Sequence, residues 1–252
     1  MNFSNFDLVL NLVKKDIQIR YMGSTFGFLW SLGNPLITTI MYYIVFTLIF
    51  PNTDTRFALY LVTGILHWNL VSQLLPQSCE WLTNNGNLLK KVWFPRMLIP
   101  LASVCTTLIF WCSALLVYAL LFKFLGGEVS LSLIIYPVVL ASFICFLIGC
   151  SLLISVYYVD MRDLKYIIDV LMPLLFWCTP IIWKVTSLNP SILFWIKINP
   201  LTIYFKIFSD IFYSSRLPAL NDLLIAVLIG FGMLLIGLVM FNKLSKNIVE
   251  SL

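Results

Sequence analysis

The sequence predicts an all-α membrane protein with six transmembrane helices, an N-terminal amphipathic interface helix and two short outer helices between spans five and six. Three observations carry this. The chain has 252 residues of which 61% are hydrophobic and 11% charged, whereas soluble proteins average about 25% charged. Apolar runs of about 20 residues, the length needed to cross a bilayer as helix, recur along it. Lys and Arg are biased toward alternate, short connections, as the positive-inside rule describes, and four of those on the other side lie in one long outer connection. These runs are far longer than the alternating strands of a membrane barrel, which excludes that class.

The spans are placed at Phe26–Phe50, Phe57–Trp81, Met97–Leu121, Leu131–Val156, Tyr166–Trp183 and Leu220–Phe241. With the N-terminus inside, the cytoplasmic segments hold Lys14, Lys15, Arg20, Lys90, Lys91, Arg96, Arg162, Lys165, Lys243 and Lys246, ten of the sixteen Lys and Arg. Both termini are therefore expected in the cytoplasm, and the chain reads as one transmembrane domain over residues 1–252. The net charge of +5 follows from this bias and gives no case for nucleic acid. No cleavable signal peptide is visible, because the N-terminus is amphipathic. The six cysteines are scattered through apolar runs without a CxxC pair, so they read as small apolar fillers and not as a disulfide or zinc framework.

Residues 1–22 form the interfacial helix. Ser4-x-x-Asp7 resembles a capping box. At helical spacing Phe6, Val9, Leu10, Val13 and Ile17 make one apolar stripe, with Asp7, Asn11, Lys14, Lys15 and Gln18 on another side. Such a helix can rest at headgroup level or pack on a partner. "IRYMGSTFGFLW" then turns into span one, Gly23 and Gly27 permitting the bend.

Span two carries a polar stripe of Asn69, Gln73, Gln77 and Glu80, within about 80° of one another on a helical wheel. Polar groups in hydrocarbon face other protein or a wet cavity. Two readings stay open. The carboxamides line a passage for a hydroxyl-rich substrate, since amides donate and accept hydrogen bonds, or they bond to neighbouring helices. His67, the only histidine, lies off the stripe without a Cys or carboxylate at ligand spacing, and reads as structural.

The connection over residues 84–96, "NNGNLLKKVWFPR", sets Lys90, Lys91 and Arg96 beside Trp93 and Phe94. Asn84-Asn85-Gly86 can end span two, Asn87 can cap a short helix, and Pro95 stops it. The rings have the character of interface anchors, while the cations satisfy the topology bias and can meet carboxylates. The alternative is that the rings only anchor the membrane interface. In "VDMRDLK", Asp160 and Asp163 could hold a divalent ion, but Arg162 and Lys165 interleave with them. A charged hinge between spans four and five, made by Asp160, Arg162, Asp163 and Lys165, is the preferred reading, and no metal is expected.

The outer connection, residues 184–219, contains Asn189-Pro190 and Asn199-Pro200. Each pair reads as an N-cap followed by proline at the first helical position. Helices are expected at Pro190–Lys197 and Pro200–Ser214, carrying Phe194, Trp195, Tyr204, Phe205, Phe208 and Phe212. They are too short to span and would dip into the outer leaflet as a hairpin or lid, or form an ordinary aromatic belt. The chain has no G-x-x-x-x-G-K-[ST] loop, Ser-His-Asp set or HExxH pair, so nothing points to ATP binding or hydrolysis on it.

"LVKKDIQIRYMGSTFGFLWSLGNPL", "LLKKVWFPRMLIPL", "MRD", "CTPIIW" and "NPLTIYFK" occur in this order. Together they resemble the membrane (permease) subunit of bacterial polysaccharide ABC exporters, the O-antigen, teichoic acid and capsule permeases. The resemblance implies a homodimer in the bacterial inner (cytoplasmic) membrane. Two separate ATPase subunits would carry ATP and Mg, leaving no cofactor on this chain. The complex would move an undecaprenyl-pyrophosphate-linked glycan outward.

It further implies that Asn87, Leu88, Lys90, Lys91, Trp93, Phe94 and Arg96 belong to a coupling segment docked on the ATPase. The outer helices would be gate helices, with aromatics around the sugar path. His67 and Leu70 stand where relatives often have a proline and an aromatic, so that part of the lining does not transfer. The compact termini lean toward O-antigen export. The rival from another class is a polytopic enzyme on polyprenyl-phosphate substrates, which would call for a second acidic cluster. An exporter of drugs or small lipids is the rival within the transporter class.

Overall fold

A computed structural model of the chain describes residues 5–24, 26–27, 29–45, 56–91, 94–183, 196 and 198–245, and among these every regular element is helical. The order is α1 (Asn5–Tyr21), α2 (Leu29–Ile44), α3 (Phe57–Ser78), α4 (Gly86–Lys91), α5 (Leu98–Leu121), α6 (Tyr136–Asp160), α7 (Leu164–Trp177), α8 (Pro200–Phe212) and α9 (Leu220–Leu244), with a 3₁₀ turn at Leu131–Ile134 leading into α6. Gly23 and Gly27 both adopt positive φ, 75° and 48°, and so make the bend into α2 that an L side chain would strain.

Hydropathy and burial run in opposite directions, and this locates the centre. The best window of α3 has a mean hydropathy of only 1.3 yet is 72% buried, while that of α9 reaches 2.9 and is 17% buried. The helix with polar groups to satisfy is inside, and the most apolar one faces outward. Around α3 lie α2, α5, α6, α7 and α8. Trp111 Nε1 donates to Leu66 O at 2.9 Å and Thr63 Oγ1 pairs with the Tyr118 hydroxyl at 2.6 Å, so α5 runs antiparallel to α3. The Trp68–Phe176 ring contact and the Glu80–Lys165 ion pair set α7 antiparallel to α3 as well.

α6 and α9 run parallel with their backbones almost touching. A Cβ on Gly149 would fall 2.3 Å from Met233 O, one on Gly237 would fall 2.5 Å from Gly149 O, and one on Gly230 would fall 2.4 Å from Ser142 O. Ser142 Oγ donates to Ala226 O at 2.8 Å and closes the same seam. Small residues permit this approach where lipid supplies no hydrophobic drive between helices.

Six helices stand where six spans are expected, but α3, α5, α6 and α9 are those that are long and apolar enough, among the described residues, to cross a membrane unaided. α7 was expected to run from Tyr166 to Trp183 and instead ends at Trp177 after 14 residues, about 21 Å of helix against about 30 Å of hydrocarbon. The cause is Pro180, which disfavours helix at Thr179. The non-helical segment beyond is satisfied by protein: the Tyr60 hydroxyl lies 2.9 Å from Pro180 O and 2.6 Å from Trp183 O. Such backbone is tolerated at membrane depth only where protein or water meets it. α2 covers 16 residues of the expected Phe26–Phe50 span, whose residues 46–50 lie outside the described ones.

α8 begins as expected: Asn199 Oδ1 accepts from Leu201 N at 3.0 Å, with Pro200 at the first helical position. It ends at Phe212 and not at Ser214. Its setting differs from the expected lid. Tyr204, Phe205, Phe208 and Phe212 are all core residues, none more than 6% exposed. Phe208 stacks on His67 with ring centroids 3.7 Å apart, and the Tyr204 hydroxyl donates to Ala226 O at 2.7 Å. The reason is spacing: Leu201, Tyr204, Phe205, Phe208, Ile211 and Phe212 form one helical face, and that face turns inward. Phe194 and Trp195, with the first expected outer helix, lie outside the described residues.

His67 is fully buried and its ring is spoken for. Thr63 O, which can only accept, lies 2.7 Å from Nδ1, so that nitrogen carries the proton and Nε2 accepts from the Tyr136 hydroxyl at 3.2 Å. This is a structural histidine, as its isolation in the sequence indicates.

Replacing Gly149 with Ala should force α6 and α9 apart and lower the thermal midpoint in detergent by the equivalent of about 1–3 kcal/mol. Gly232→Ala is the control: nothing lies within 4 Å of its Cβ position, so it should leave the midpoint unchanged or raise it.

Candidate functional site

The polar stripe lies on the C-terminal part of α3 and on the turn after it, since α3 stops at Ser78 and Glu80 sits in the turn over residues 79–85. Asn69 borders a small gap with Thr38, Thr39 and Tyr118. Gln73 Oε1 accepts from Arg20 Nη2 of α1 at 3.3 Å, and Gln77 Oε1 accepts from Thr107 Oγ1 of α5 at 3.4 Å. Glu80 takes the Lys165 ammonium on Oε1 and Asn84 Nδ2 on Oε2, the latter at 3.3 Å. Each of the last three stripe residues thus reaches a different element.

Of the stripe, Gln77 and Glu80 border a cleft of about 510 Å³. Lys15, Asp16, Ile19 and Arg20 come from α1, Ser103, Thr106 and Thr107 from α5, and Gln77, Glu80, Trp81, Asn84 and Asn85 from α3 and its turn. Thr106 turns its hydroxyl back to Ala102 O at 2.9 Å, so a helix carbonyl satisfies it in the apolar wall, while the single Thr107 proton is shared between Ser103 O at 3.0 Å and Gln77 Oε1. The α5 residues, with Lys15, Arg20 and Asn85, are the part of the cleft that sequence reasoning missed. The signal was there in Ser103, Thr106 and Thr107, three polar positions at helical spacing in an otherwise apolar run.

α1 is a wall of this cleft. Leu12 and Val13 are buried, and Leu8, Val9 and Ile17 pack against the core, whereas Phe6 and Leu10 of the expected stripe are exposed. The helix rests on α5. Lys15 Nζ donates to Asn85 Oδ1 at 2.9 Å, and the Arg20 guanidinium lies 4.3 Å from the Phe110 ring centroid.

The hinge between α6 and α7 is a tight exposed turn. Asp160 ends α6, Asp163 precedes α7 without a side-chain cap, and Arg162 is exposed between them. Lys165 turns away to pair with Glu80, whose place in the sequence also allowed a salt bridge with Lys90 or Lys91. Its hydrogen bond, helped by that of Asn84, holds the Glu80 carboxyl below the usual carboxylate range, and Glu80 raises Lys165 in turn. Burial raises Asp16, against the opposing pull of Lys15.

In the connecting segment, α4 begins at Gly86, one residue before the expected cap Asn87, because Asn85 O already accepts from Leu88 N and Leu89 N at 3.0 Å each. Leu89 is buried and Leu88 half-buried, while Asn87, Lys90 and Lys91 are exposed. Phe94 is half-buried and packs against the core, and Arg96 is half-buried with Nη1 unpaired among the described residues. Trp93 lies outside the described residues.

A bundle of apolar helices with a polar cleft has the form of a multi-pass membrane transport protein. The chain belongs to the ABC-2 type transporter family, whose model matches residues 7–213. It is similar to proteins named O-antigen export system permease protein RfbA. Two are from Klebsiella pneumoniae, 32% and 31% identical over 98% of this chain and 95% of each relative. A third, from Myxococcus xanthus, is 25% identical over 97% of this chain and 95% of its own.

The Glu80–Lys165 pair stabilises above the carboxylate's ordinary pKa of 4.5 and is lost as pH falls through its lowered value. Both groups are partly exposed, so water screens the pair and its worth is at most about 1 kcal/mol. Glu80→Gln should therefore lower the thermal midpoint slightly at pH 7, and the gap to the unsubstituted protein should close well below pH 4.5. A gap that persists in acid would assign the loss to packing.

Proposed function

We propose that this chain is the permease subunit of an ATP-driven exporter that moves a lipid-linked polysaccharide of O-antigen type out of the cytoplasm across the inner membrane. Two copies assemble with two ATPase subunits, which bring ATP and Mg. Both termini, α4 and the cleft then lie on the cytoplasmic side. The observation that carries this reading is the end-to-end similarity to O-antigen export permeases, 98% of this chain against 95% of the relative. A cleft walled by amides, hydroxyls and Trp81 suits a hydroxyl-rich substrate entering from that side.

Deleting the chain should abolish surface glycan and leave the polymer lipid-linked inside the cell, with the wild-type chain restoring display. Unchanged surface glycan in the deletion strain overturns the assignment. Docking is tested separately. Trp93 and Phe94 supply the aromatic anchors of the coupling segment, so replacing both with Ala should weaken ATPase binding by about 2 kcal/mol, roughly thirtyfold. Unchanged co-purification together with unchanged export would remove that role.

A further inference from the structure

The geometry points to a carbohydrate subsite in the cleft between α1, the turn after α3 and α5, one that grips an uncharged sugar residue by hydrogen bonds and not by charge. It rests on the export reading and adds which chemical part of the substrate is held there. The first observation is charge balance. Lys15 and Arg20 share the lining with Asp16 and Glu80, so the lining side chains themselves sum to no net charge, and Lys165 answers Glu80 from outside the lining.

Both cations are, moreover, already engaged. Lys15 donates to Asn85 at 2.9 Å and sits 3.9 Å from Asp16. Arg20 donates to Gln73 at 3.3 Å and lies over Phe110. A phosphate entering the cleft would have to compete with these contacts and approach two carboxyl groups.

The second observation is the inventory of unused hydrogen-bonding capacity. Gln77 spends Oε1 on Thr107, and Asn84 spends Nδ2 on Glu80. The Gln77 Nε2 donors and the Asn84 Oδ1 acceptor have no partner among the described residues, and both side chains are exposed to the cleft. Each Glu80 oxygen accepts one bond and retains a lone pair, and the Lys15 ammonium retains protons beyond the one given to Asn85. Donors and acceptors therefore both open onto one space, which is what hydroxyls, each both donor and acceptor, require.

The third observation is size. About 510 Å³ falls inside the roughly 300–1,000 Å³ of small-molecule sites. It is room for a short glycan segment and far too little for a polymer.

The test uses the full-length chain in phosphatidylcholine nanodiscs. Free neutral disaccharides of galactose, mannose and N-acetylglucosamine are the probes, and saturation-transfer NMR is the readout. At least one disaccharide should receive saturation, the Gln77→Leu/Asn84→Leu variant should weaken its binding at least about fivefold, and equimolar inorganic pyrophosphate should not displace it. Gln77→Leu also removes the bond from Thr107, so the elution profile and thermal midpoint are measured first, and the single variant Asn84→Ala at an exposed turn position carries the test where the double variant is destabilised.

No transfer to any of the three sugars, undiminished transfer in the variant, or displacement by pyrophosphate each overturns the subsite, the last by assigning the cleft to an anion. Surface display of glycan is scored in the complemented deletion strain alongside. Display restored without sugar binding sinks the subsite alone, and display that never depended on the chain sinks the export reading.

Discussion

The absence of water from the middle of a bilayer is the constraint on which the rest of this structure depends. Every polar group carried into that layer needs a partner in the protein. α3 carries the most of them and is accordingly the most enclosed long helix. Its polar groups set where the neighbours go: Thr63 meets Tyr118 of α5, His67 meets Tyr136 at the start of α6, Gln73 meets Arg20 of α1, and Gln77 meets Thr107 of α5. The one Tyr60 hydroxyl proton is shared between the carbonyls of Pro180 and Trp183, where Pro180 breaks the helix after α7. A less polar α3 would have had no reason to sit at the centre.

The opposite solution appears at the α6–α9 seam. There the contact is backbone against backbone at Gly149 and Gly237, with Ser142 and Tyr204 both donating to Ala226 O. The two kinds of joint divide the labour. The seam fixes two apolar helices with few polar atoms, and α9 can then present Leu224, Leu228, Leu235 and Val239 outward. α7 stands apart from both. Ile168 is its one buried residue, and Tyr166, Val170, Leu174 and Trp177 are left to lipid or to another chain.

Much of this was legible in the sequence, because span length and apolarity are set by bilayer thickness and leave a strong local signal. The start of α8 was equally legible, since Asn199-Pro200 carries its own capping chemistry. The direction of the α8 rings was not. An aromatic face at helical spacing can turn to lipid or to protein with equal comfort, and only the position of His67 and Phe143 across the fold decides it. The early end of α7 was written in Pro180, but apolarity continued past it and masked the break. Glu80 shows the commonest failure. Lys90 and Lys91 were near in sequence, whereas the true partner, Lys165, is 85 residues away and is brought there by the hairpin of α6 and α7.

The cleft was hidden for the same reason, since its three walls come from separate parts of the chain. Its assembly has a further consequence. The turn over residues 79–85 supplies Glu80, Trp81, Asn84 and Asn85 to the cleft. The same turn runs without a break into α4, whose first turn is hydrogen-bonded to Asn85 O. Asn85 also anchors Lys15 of α1, and its Nδ2 donates to Trp81 O at 2.9 Å. A displacement of α4 that keeps its own hydrogen bonds must therefore carry Asn85 with it, and with Asn85 either move α1 or break its hold on Lys15. The cleft and the short helix beside it cannot change shape independently.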